Sequence, residues 1–459
     1  MDEEQVITIS AKDFLLGESS SDWADDGGFS PKSYNLNLTR IRGILDFAPS
    51  LVDRGGATLT GDVIAMCTDK TLSGNDAHIL DDEGAVYILA SNNALTKKQT
   101  ITADTFTLGT SELIQYASAV ATPFTFATSD SRIIRFTGPN LDGAAPDTDF
   151  WSGLNTGVRH PMEKVEDKLY FGDMNLIHAW DGATSTSAWV TLPPDVNITS
   201  LRKHPDGRNL IAFCGLGQNY SHTRNTPGRI YIVDTVLRDW IREIDTEIQV
   251  EGSRLVGGTV FVTYGSNVGY FTGDGIKFLK KLADSATVYS HNLGNMEDIL
   301  TVRDGNHIRM YGDLGHGRVW WRGAYNGSDS ASAITCHFYR GDNKLLIAYQ
   351  NASAVETLSE LDYDNTSSSG IFFSRRYMFP REVLIKRIDI VHDKAVGTFV
   401  MSYNDPDDTV VSLSEAINTT TDDGKTSREL DFPCDVFQYR QGQGPGEIRL
   451  IRIFYAAIE

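Results

Sequence analysis

The sequence predicts an all-β protein: a β-propeller of about seven blades over residues 56–368, then a C-terminal antiparallel β-sandwich-like domain over 369–459. An N-terminal loop and assembly segment occupies 1–55. Three observations carry this expectation. Polar turns lead into short apolar strands seven times, at nearly regular intervals. Glycine, a residue of tight turns, occurs 41 times. Long runs of Ala, Leu, Glu and Lys with helical spacing are missing, so helices should be few and short.

The repeat is one of form rather than of residues. Asp82-Glu83-Gly84 precedes AVYILA, Asp130-Ser131 precedes RIIRF, Glu166-Asp167 precedes KLYF, and Asp206-Gly207 precedes RNLIAF. Gly257-Gly258 then precedes TVFVTY, Asp304-Gly305 precedes NHIRMY, and Asp342-Asn343 precedes KLLIAY. Measured at Gly84, Asp130, Asp167, Gly207, Gly258, Gly305 and Asp342, the gaps are 46, 37, 40, 51, 47 and 37 residues. One four-stranded propeller blade takes roughly 40–50 residues. Asx-Gly turns supply the positive φ angles of tight hairpins, and β-branched and aromatic residues fit pleated strands. Further strands end in turns of their own, as NLIHAW does before Asp181-Gly182 and VGYFTG before Asp274-Gly275. A lone blade exposes an apolar face, which stacking in a closed ring buries. The competing reading is a pair of ordinary β-sandwiches with hairpins at similar intervals.

From about Ser369 the rhythm changes to longer alternating strands, IFFSRRYMF, VLIKRIDIV, GTFVMSYN and EIRLIRIFYAAIE, interrupted by the polar segment 404–431, which reads as a small antiparallel β-sandwich or sheet. Pro380 and Pro433 should sit at strand edges, where a missing N–H is tolerated. In the N-terminal segment, GGFSPKSYNLN reads as loop and ILDFAPS as a short strand or turn.

Composition narrows the function. At 41% hydrophobic and 22% charged residues, the chain has the balance of a globular protein. No apolar stretch reaches the roughly 18–20 residues of a membrane span, so no membrane insertion is expected. The acidic start MDEEQVITIS lacks a signal-peptide pattern. Cys67, Cys214, Cys336 and Cys434 are far apart and form no CxxC pair, which reads as buried thiols in a protein assembled in a cytosol. Sequons such as that at Asn37 and that at Asn197 then carry no meaning. With 41 basic and 61 acidic residues the formal charge is -20, so the chain repels nucleic acid on average. The first 30 residues are the extreme, with Asp2, Glu3, Glu4, Asp13, Glu18, Asp22, Asp25 and Asp26 against Lys12; a solvated acidic tail is the plain reading.

No chemistry-bearing constellation stands out. Asp25-Asp26, Asp81-Asp82, Asp407-Asp408 and Asp422-Asp423 sit in turn-like contexts. The ten histidines show no metal-binding spacing, and His178, His307 and His337 read as half-buried strand residues. No nucleophile elbow or phosphate loop is found, and the glycine-rich Gly442-Gln-Gly444-Pro-Gly446 does not suggest one. The expectation is therefore no enzyme, no catalytic residue, no metal and no cofactor. Thr420-Thr-Asp422-Asp-Gly424-Lys-Thr426 resembles the Asp-box hairpin of sialidase-like propellers, with Ser427 in place of the motif's Trp; this says hairpin, not sialidase. Trp320-Trp321, Trp180 and Trp240 are candidates for a sugar-stacking platform or, more commonly, for core packing.

Several segments resemble the propeller-containing tail hub or nozzle proteins of short-tailed bacteriophages. They are Asp13-Phe14-Leu-Leu-Gly17, Gly28-Phe29-Ser-Pro31, Gly43-Ile-Leu45 with Ala48-Pro49, then Leu384-Ile-Lys-Arg-Ile-Asp-Ile and the closing Leu450-Ile-Arg-Ile. The resemblance implies a virion structural protein of the tail, assembled in the host bacterial cytoplasm. It implies a homo-oligomeric ring, taken as a hexamer, that contacts a portal adaptor, tail fibre or plug protein and lets DNA pass without specific binding. A lumen lined by carboxylates would keep the sliding phosphate backbone from sticking. Deleting residues 1–30 should then leave a folded protein that no longer assembles. Two other classes are a carbohydrate-binding tail propeller, which needs exposed Trp or Tyr along a groove, and a propeller glycan hydrolase, which needs carboxylates and arginines converging in the central pocket.

Overall fold

Alternation of short apolar strands with polar turns yields strands, turns and no helix among the described residues. The computed structural model describes residues 5–10, 36–37, 46–47, 51–54, 59–68, 76–102, 104–118, 121–138, 141, 145–217, 226–282, 293–304, 307–313, 319–326, 334–341, 344–350, 355–362, 371–393, 397–404, 410–417, 424–442 and 447–458. These fall into two units. The larger comprises 52–306 and 327–360; the smaller comprises 1–51, 307–326 and 361–459. The smaller unit is thus discontinuous, where the sequence suggested three consecutive segments.

Four short strands come first: β1 (Gln5–Ile9), β2 (Leu36–Asn37), β3 (Asp46–Phe47) and β4 (Leu51–Asp53). A first four-stranded sheet follows, β5 (Val63–Thr68), β6 (Ala77–Asp81), β7 (Ala85–Leu89) and β8 (Leu95–Thr100). The second is β9 (Leu113–Ser118), β10 (Ala121–Thr128), β11 (Arg132–Thr137) and β12 (Asp147–Ser152). The third is β13 (Met162–Val165), β14 (Lys168–Asp173), β15 (Leu176–Trp180) and β16 (Ser185–Thr191). The fourth is β17 (Val196–Lys203), β18 (Leu210–Leu216), β19 (Gly228–Asp234) and β20 (Asp239–Thr246). The fifth is β21 (Val250–Val256), β22 (Thr259–Tyr264), β23 (Asn267–Phe271) and β24 (Ile276–Lys281). Two hairpins come next, β25 (Leu293–Met296) with β26 (Ile299–Asp304), and β27 (His307–Asp313) with β28 (Val319–Asn326). The last sheet of the larger unit is β29 (Ile334–Gly341), β30 (Lys344–Gln350) and β31 (Glu356–Asp362), completed on its outer side by β4 from the start of the chain.

Two of the seven turns seen in the sequence, those before β7 and β11, lie between the second and third strands of their sheets. Four others, before β14, β18, β22 and β30, lie between the first and second. This change of phase explains the uneven gaps: the step of 37 residues from Asp130 to Asp167 runs from the later turn of one sheet to the earlier turn of the next. The remaining turn leads into β27. Gly84 (φ +75°) and Gly207 (φ +82°) adopt the left-handed conformation that the tight turns require.

In the larger unit the first strands contact one another in an unbroken cycle, β5, β9, β13, β17, β21, β25, β29 and back to β5. This is the architecture of a β-propeller. The core lies between neighbouring sheets: Tyr116, Phe126, Phe171 and Trp180 fill the space between the second and third. At the closing seam, Val63, Ile79 and Tyr87 of the first sheet meet Cys336, Leu346 and Leu358 of the last. All four cysteines are buried and none forms a disulfide.

The smaller unit contains β32 (Ile371–Asp393), β33 (Gly397–Asn404), β34 (Val410–Ile417), β35 (Lys425–Gly442) and β36 (Glu447–Ala457). With β1 they form one six-stranded sheet, ordered β1-β36-β32-β35-β33-β34. It is a single sheet in two staggered halves, the second of the two forms, sandwich or sheet, that the sequence left open. β36 pairs only with residues from Val383 onward of β32, whereas β33 pairs only with the 437–442 end of β35. IFFSRRYMF and VLIKRIDIV are therefore one strand, broken in register between Met378 and Val383. Pro380 is exposed inside that break, not at a strand edge, where its missing N–H costs no ladder bond.

The N-terminal segment is also more than a loop. β1 pairs with β36 from Gln5↔Tyr455 to Ile9↔Ile451, and Ile9 is 2% exposed. Removing residues 1–10 should lower the stability of the smaller unit by about 2–3 kcal/mol through lost Ile9 burial and edge pairing, and leave the propeller intact. Urea unfolding followed by circular dichroism checks this; unchanged unfolding would assign β1 no structural part.

Candidate functional site at the centre of the propeller

The first strands of the sheets surround a cavity of about 120 Å3, and every member of the cycle contributes to its wall. Its charged groups come from four positions: Glu112 just before β9, Glu163 on β13, Arg202 on β17 and Arg254 on β21. Met66, Leu113, Ile114 and Phe338 supply apolar wall. An inner strand buries one face against its neighbours and turns the other to the cavity, which is why charged residues are tolerated there.

These side chains, with Arg303 and Glu356, stitch most of the neighbouring sheets together near the cavity. The Met162 amide donates to Glu112 Oε2 at 2.9 Å, and Arg202 Nη1 donates to Glu163 Oε2 at 2.9 Å. Arg202 Nε also donates to the Ser253 carbonyl. Arg254 Nε and Nη2 donate to Asn295 Oδ1 at 3.0 and 2.8 Å. Arg303 Nη1 donates to the carbonyls of Ile334 and Thr335 at 2.7 and 2.8 Å. Thr335 Oγ1 and the Val63 amide both donate to Glu356 Oε1, at 2.8 and 3.1 Å, which joins the last sheet to the first. A tight approach completes the wall at Gly294, where a Cβ would lie 2.6 Å from Thr301 Oγ1.

Burial pushes the Glu112 carboxyl above its usual range, against the opposing pull of Arg202. Burial, reinforced by the Arg202 charge, lowers Arg254 to about 10. His337 is pushed down to about 3 by burial and is neutral at physiological pH; its Nε2 lies 2.9 Å from Thr301 Oγ1. Glu163 is in contact with Arg202, whereas the contact partner of Arg254 is the neutral amide of Asn295. The site can therefore recognise a small polar molecule that brings negative charge of its own.

The residues singled out in the sequence fall elsewhere. Asp81 is fully buried and organises a turn: it accepts from the Ala85 amide at 2.7 Å, Thr60 Oγ1 at 2.8 Å and Tyr87 Oη at 2.9 Å. Asp82 accepts from the Asp62 amide at 2.8 Å. Asp25-Asp26, Asp407-Asp408 and Asp422-Asp423 lie outside the described residues, as does the acidic N-terminal stretch except for residues 5–10. Of the Asp-box-like hairpin, Gly424 has φ +68° and Thr426 Oγ1 lies 3.0 Å from His392 Nε2. His178 and His337 are fully rather than half buried; His178 stacks on Phe171 and its Nδ1 accepts from the Ala188 amide. The His307, Trp320 and Trp321 side chains lie outside the described residues. Trp180 is a core residue, edge-on to Phe126 and Phe150, and cannot stack on a sugar; Trp240 is 36% exposed. Among the described residues no group of three or more His, Cys, Asp or Glu is placed to hold a metal.

Sequence reading missed Glu112, Glu163, Arg202 and Arg254. One signal was available: Glu163 and its partner Arg202 are 39 residues apart, one blade's spacing.

Fold and centre together define a β-propeller. No protein-family model matches the chain, and no curated protein matches its sequence. Among solved structures it is similar to the Cps50 (Swd1) β-propeller domain of Myceliophteria thermophila, with a TM-score of 0.45, 10% identity, and coverage of 68% of this chain and 98% of that one. It is also similar to a streptogramin B lyase structure, with a TM-score of 0.44, 10% identity, and coverage of 70% and 97%.

Proposed function

We propose that the chain is an architectural subunit of a short-tailed bacteriophage tail, a hub or nozzle protein that forms a homo-oligomeric ring and docks other tail proteins. The supporting observation is the composition of the smaller unit. The two segments that carry the C-terminal resemblance are hydrogen-bonded neighbours, with Ile388↔Ile453 and Ile390↔Ile451, and β1 extends the same sheet. At its ends β1 and β34 each have one strand neighbour, and an edge strand is a ready surface for joining another chain. The N-terminal motifs of the resemblance lie outside the described residues.

A cavity of about 120 Å3 cannot pass a duplex, so a DNA conduit built from this subunit runs between copies and not through a propeller. With a formal charge of -20, the copies are suited to a lumen that repels phosphate. Screening limits that repulsion to about 8–10 Å at physiological salt, so only carboxylates near the axis contribute. Native mass spectrometry and electron microscopy of the full chain should show a closed ring, with Asp and Glu outnumbering Lys and Arg on the axial surface. A chain that stays monomeric alone and with its tail neighbours, or a ring with a basic lumen, would overturn the reading.

A further inference from the structure

We propose that the central cavity of the propeller is a binding site for a small carboxylate that also carries a hydrogen-bond donor, of the size of glycolate or glycine. The stitching between sheets leaves several polar groups over. Each guanidinium carries five N–H donors and neither has all of them engaged: Arg254 uses Nε and Nη2 on Asn295, and Arg202 uses Nε on Ser253 and Nη1 on Glu163. Arg254 Nη1 and Arg202 Nη2 therefore have donors to spare, and neither is among the atoms sealed from the cavity without a partner. Glu112 Oε2 is taken by the Met162 amide, while Oε1 has no donor among the described residues and is likewise not sealed.

Those three groups line one space and form a pattern: two planar guanidinium edges and one carboxyl oxygen. Guanidinium edges match a carboxylate in geometry as well as charge. A hydroxyl or ammonium on the adjacent carbon of that carboxylate would reach Glu112. Charge agrees: Glu163 is in ion-pair contact with Arg202, while the direct partner of Arg254 is a neutral amide, and the Glu163 and Glu112 charges reach it only from a distance. Size agrees too. A volume of about 120 Å3 holds several waters or one small anion, well below the roughly 300 Å3 at which drug-sized pockets begin. The apolar walls at Leu113, Ile114 and Phe338 lower the local polarity and strengthen each charged contact. The site needs no tail assembly and stands apart from the proposed function.

The test uses the purified full chain at fixed ionic strength. Thermal unfolding is followed with glycolate, glycine, acetate, methylamine and chloride, and 13C-labelled glycolate is followed by saturation-transfer NMR. Glycolate and glycine should raise the melting temperature and show transfer; acetate should do so less, and methylamine and chloride not at all. Arg254→Gln should weaken both ligands at least about tenfold, the loss of a charge-assisted contact. Glu112→Gln should weaken glycine while sparing glycolate: the Met162 amide holds the one remaining oxygen, so the NH2 faces the cavity, where it can donate to a hydroxyl oxygen but cannot neutralise an ammonium. If Arg254→Gln does not fold, Arg254→Lys, which keeps the charge but loses the planar fork, should show the same weakening. Equal stabilisation by all the anions, binding that survives Arg254→Gln, or no transfer to glycolate would each overturn the proposal.

Discussion

Replacing Glu360 with alanine is expected to lower the stability of the propeller by about 3–5 kcal/mol, the usual cost of removing one partner from a buried ion pair. Glu360 is completely buried on β31 and accepts from two arginines. Arg54, just after β4, donates to Oε1 from Nε at 3.2 Å and from Nη2 at 2.6 Å. Arg340 of β29 donates to Oε2 at 2.9 Å and reaches across the seam to the Ala90 carbonyl at 2.8 Å and to Asn93 Oδ1 at 2.9 Å. One carboxylate thus ties the last sheet to the strand that closes it and, through Arg340, to the first sheet. Without it the Arg340 side chain, 2% exposed, keeps its charge and loses the Glu360 carboxylate. Glu360→Gln should cost less, and Arg54→Ala less again, because that side chain is 14% exposed and regains water. Denaturant unfolding of the variants checks the order. A loss below about 1 kcal/mol for Glu360→Ala would mean that apolar packing alone closes the ring.

The second large effect is on pH dependence. Burial pushes the Glu356 carboxyl from its usual 4.5 up to about 8, with the neighbouring Asp62 charge adding to the rise. Its Oε2 has no partner within hydrogen-bond geometry. The folded chain therefore holds a proton that the unfolded chain releases above about 4.5. The stabilisation is complete in acid, declines as pH rises from about 4.5 to about 8, and does not change beyond. At about 1.4 kcal/mol per pH unit the loss is at most about 5 kcal/mol, less where water reaches the site. Glu356→Gln keeps the acceptor for Val63 and Thr335 and should abolish this slope. The neutral buried histidines act in the other direction: His337, held at about 3, costs stability as pH falls below about 6.5. Because the variant keeps His337, the difference between wild type and Glu356→Gln isolates the carboxyl. Parallel stability curves from pH 5 to 9 would refute the assignment.

The local half of the fold was legible in the sequence. Turns announce themselves through Asx and Gly chemistry, as at Asp181-Gly182, where the amides of Thr184 and Ala183 hold the Asp181 carboxyl below its usual range and Gly182 has φ +96°. Period-two apolar runs locate the strands, and their recurrence at blade length locates the propeller. These signals are local because they depend on backbone conformation and on which face of a strand is buried.

Tertiary structure alone decided the rest. β4 and β31 pair from residues some 300 apart, as do β1 and β36 from opposite ends of the chain; strands of three and five residues carry too little pattern to specify a partner. IFFSRRYMF and VLIKRIDIV became one 23-residue strand because both halves pair with the same neighbour, β35, while the second half also takes β36 on its other side. The cavity was hidden for a further reason. In MEKV and NITSLRK a charged residue on an inner strand looks like any outward-facing one, since alternation says that a face is wet but not whether the water is outside the protein or at its centre. Only closure of the ring brings Glu112, Glu163, Arg202 and Arg254 to one point and turns four scattered strand residues into a site.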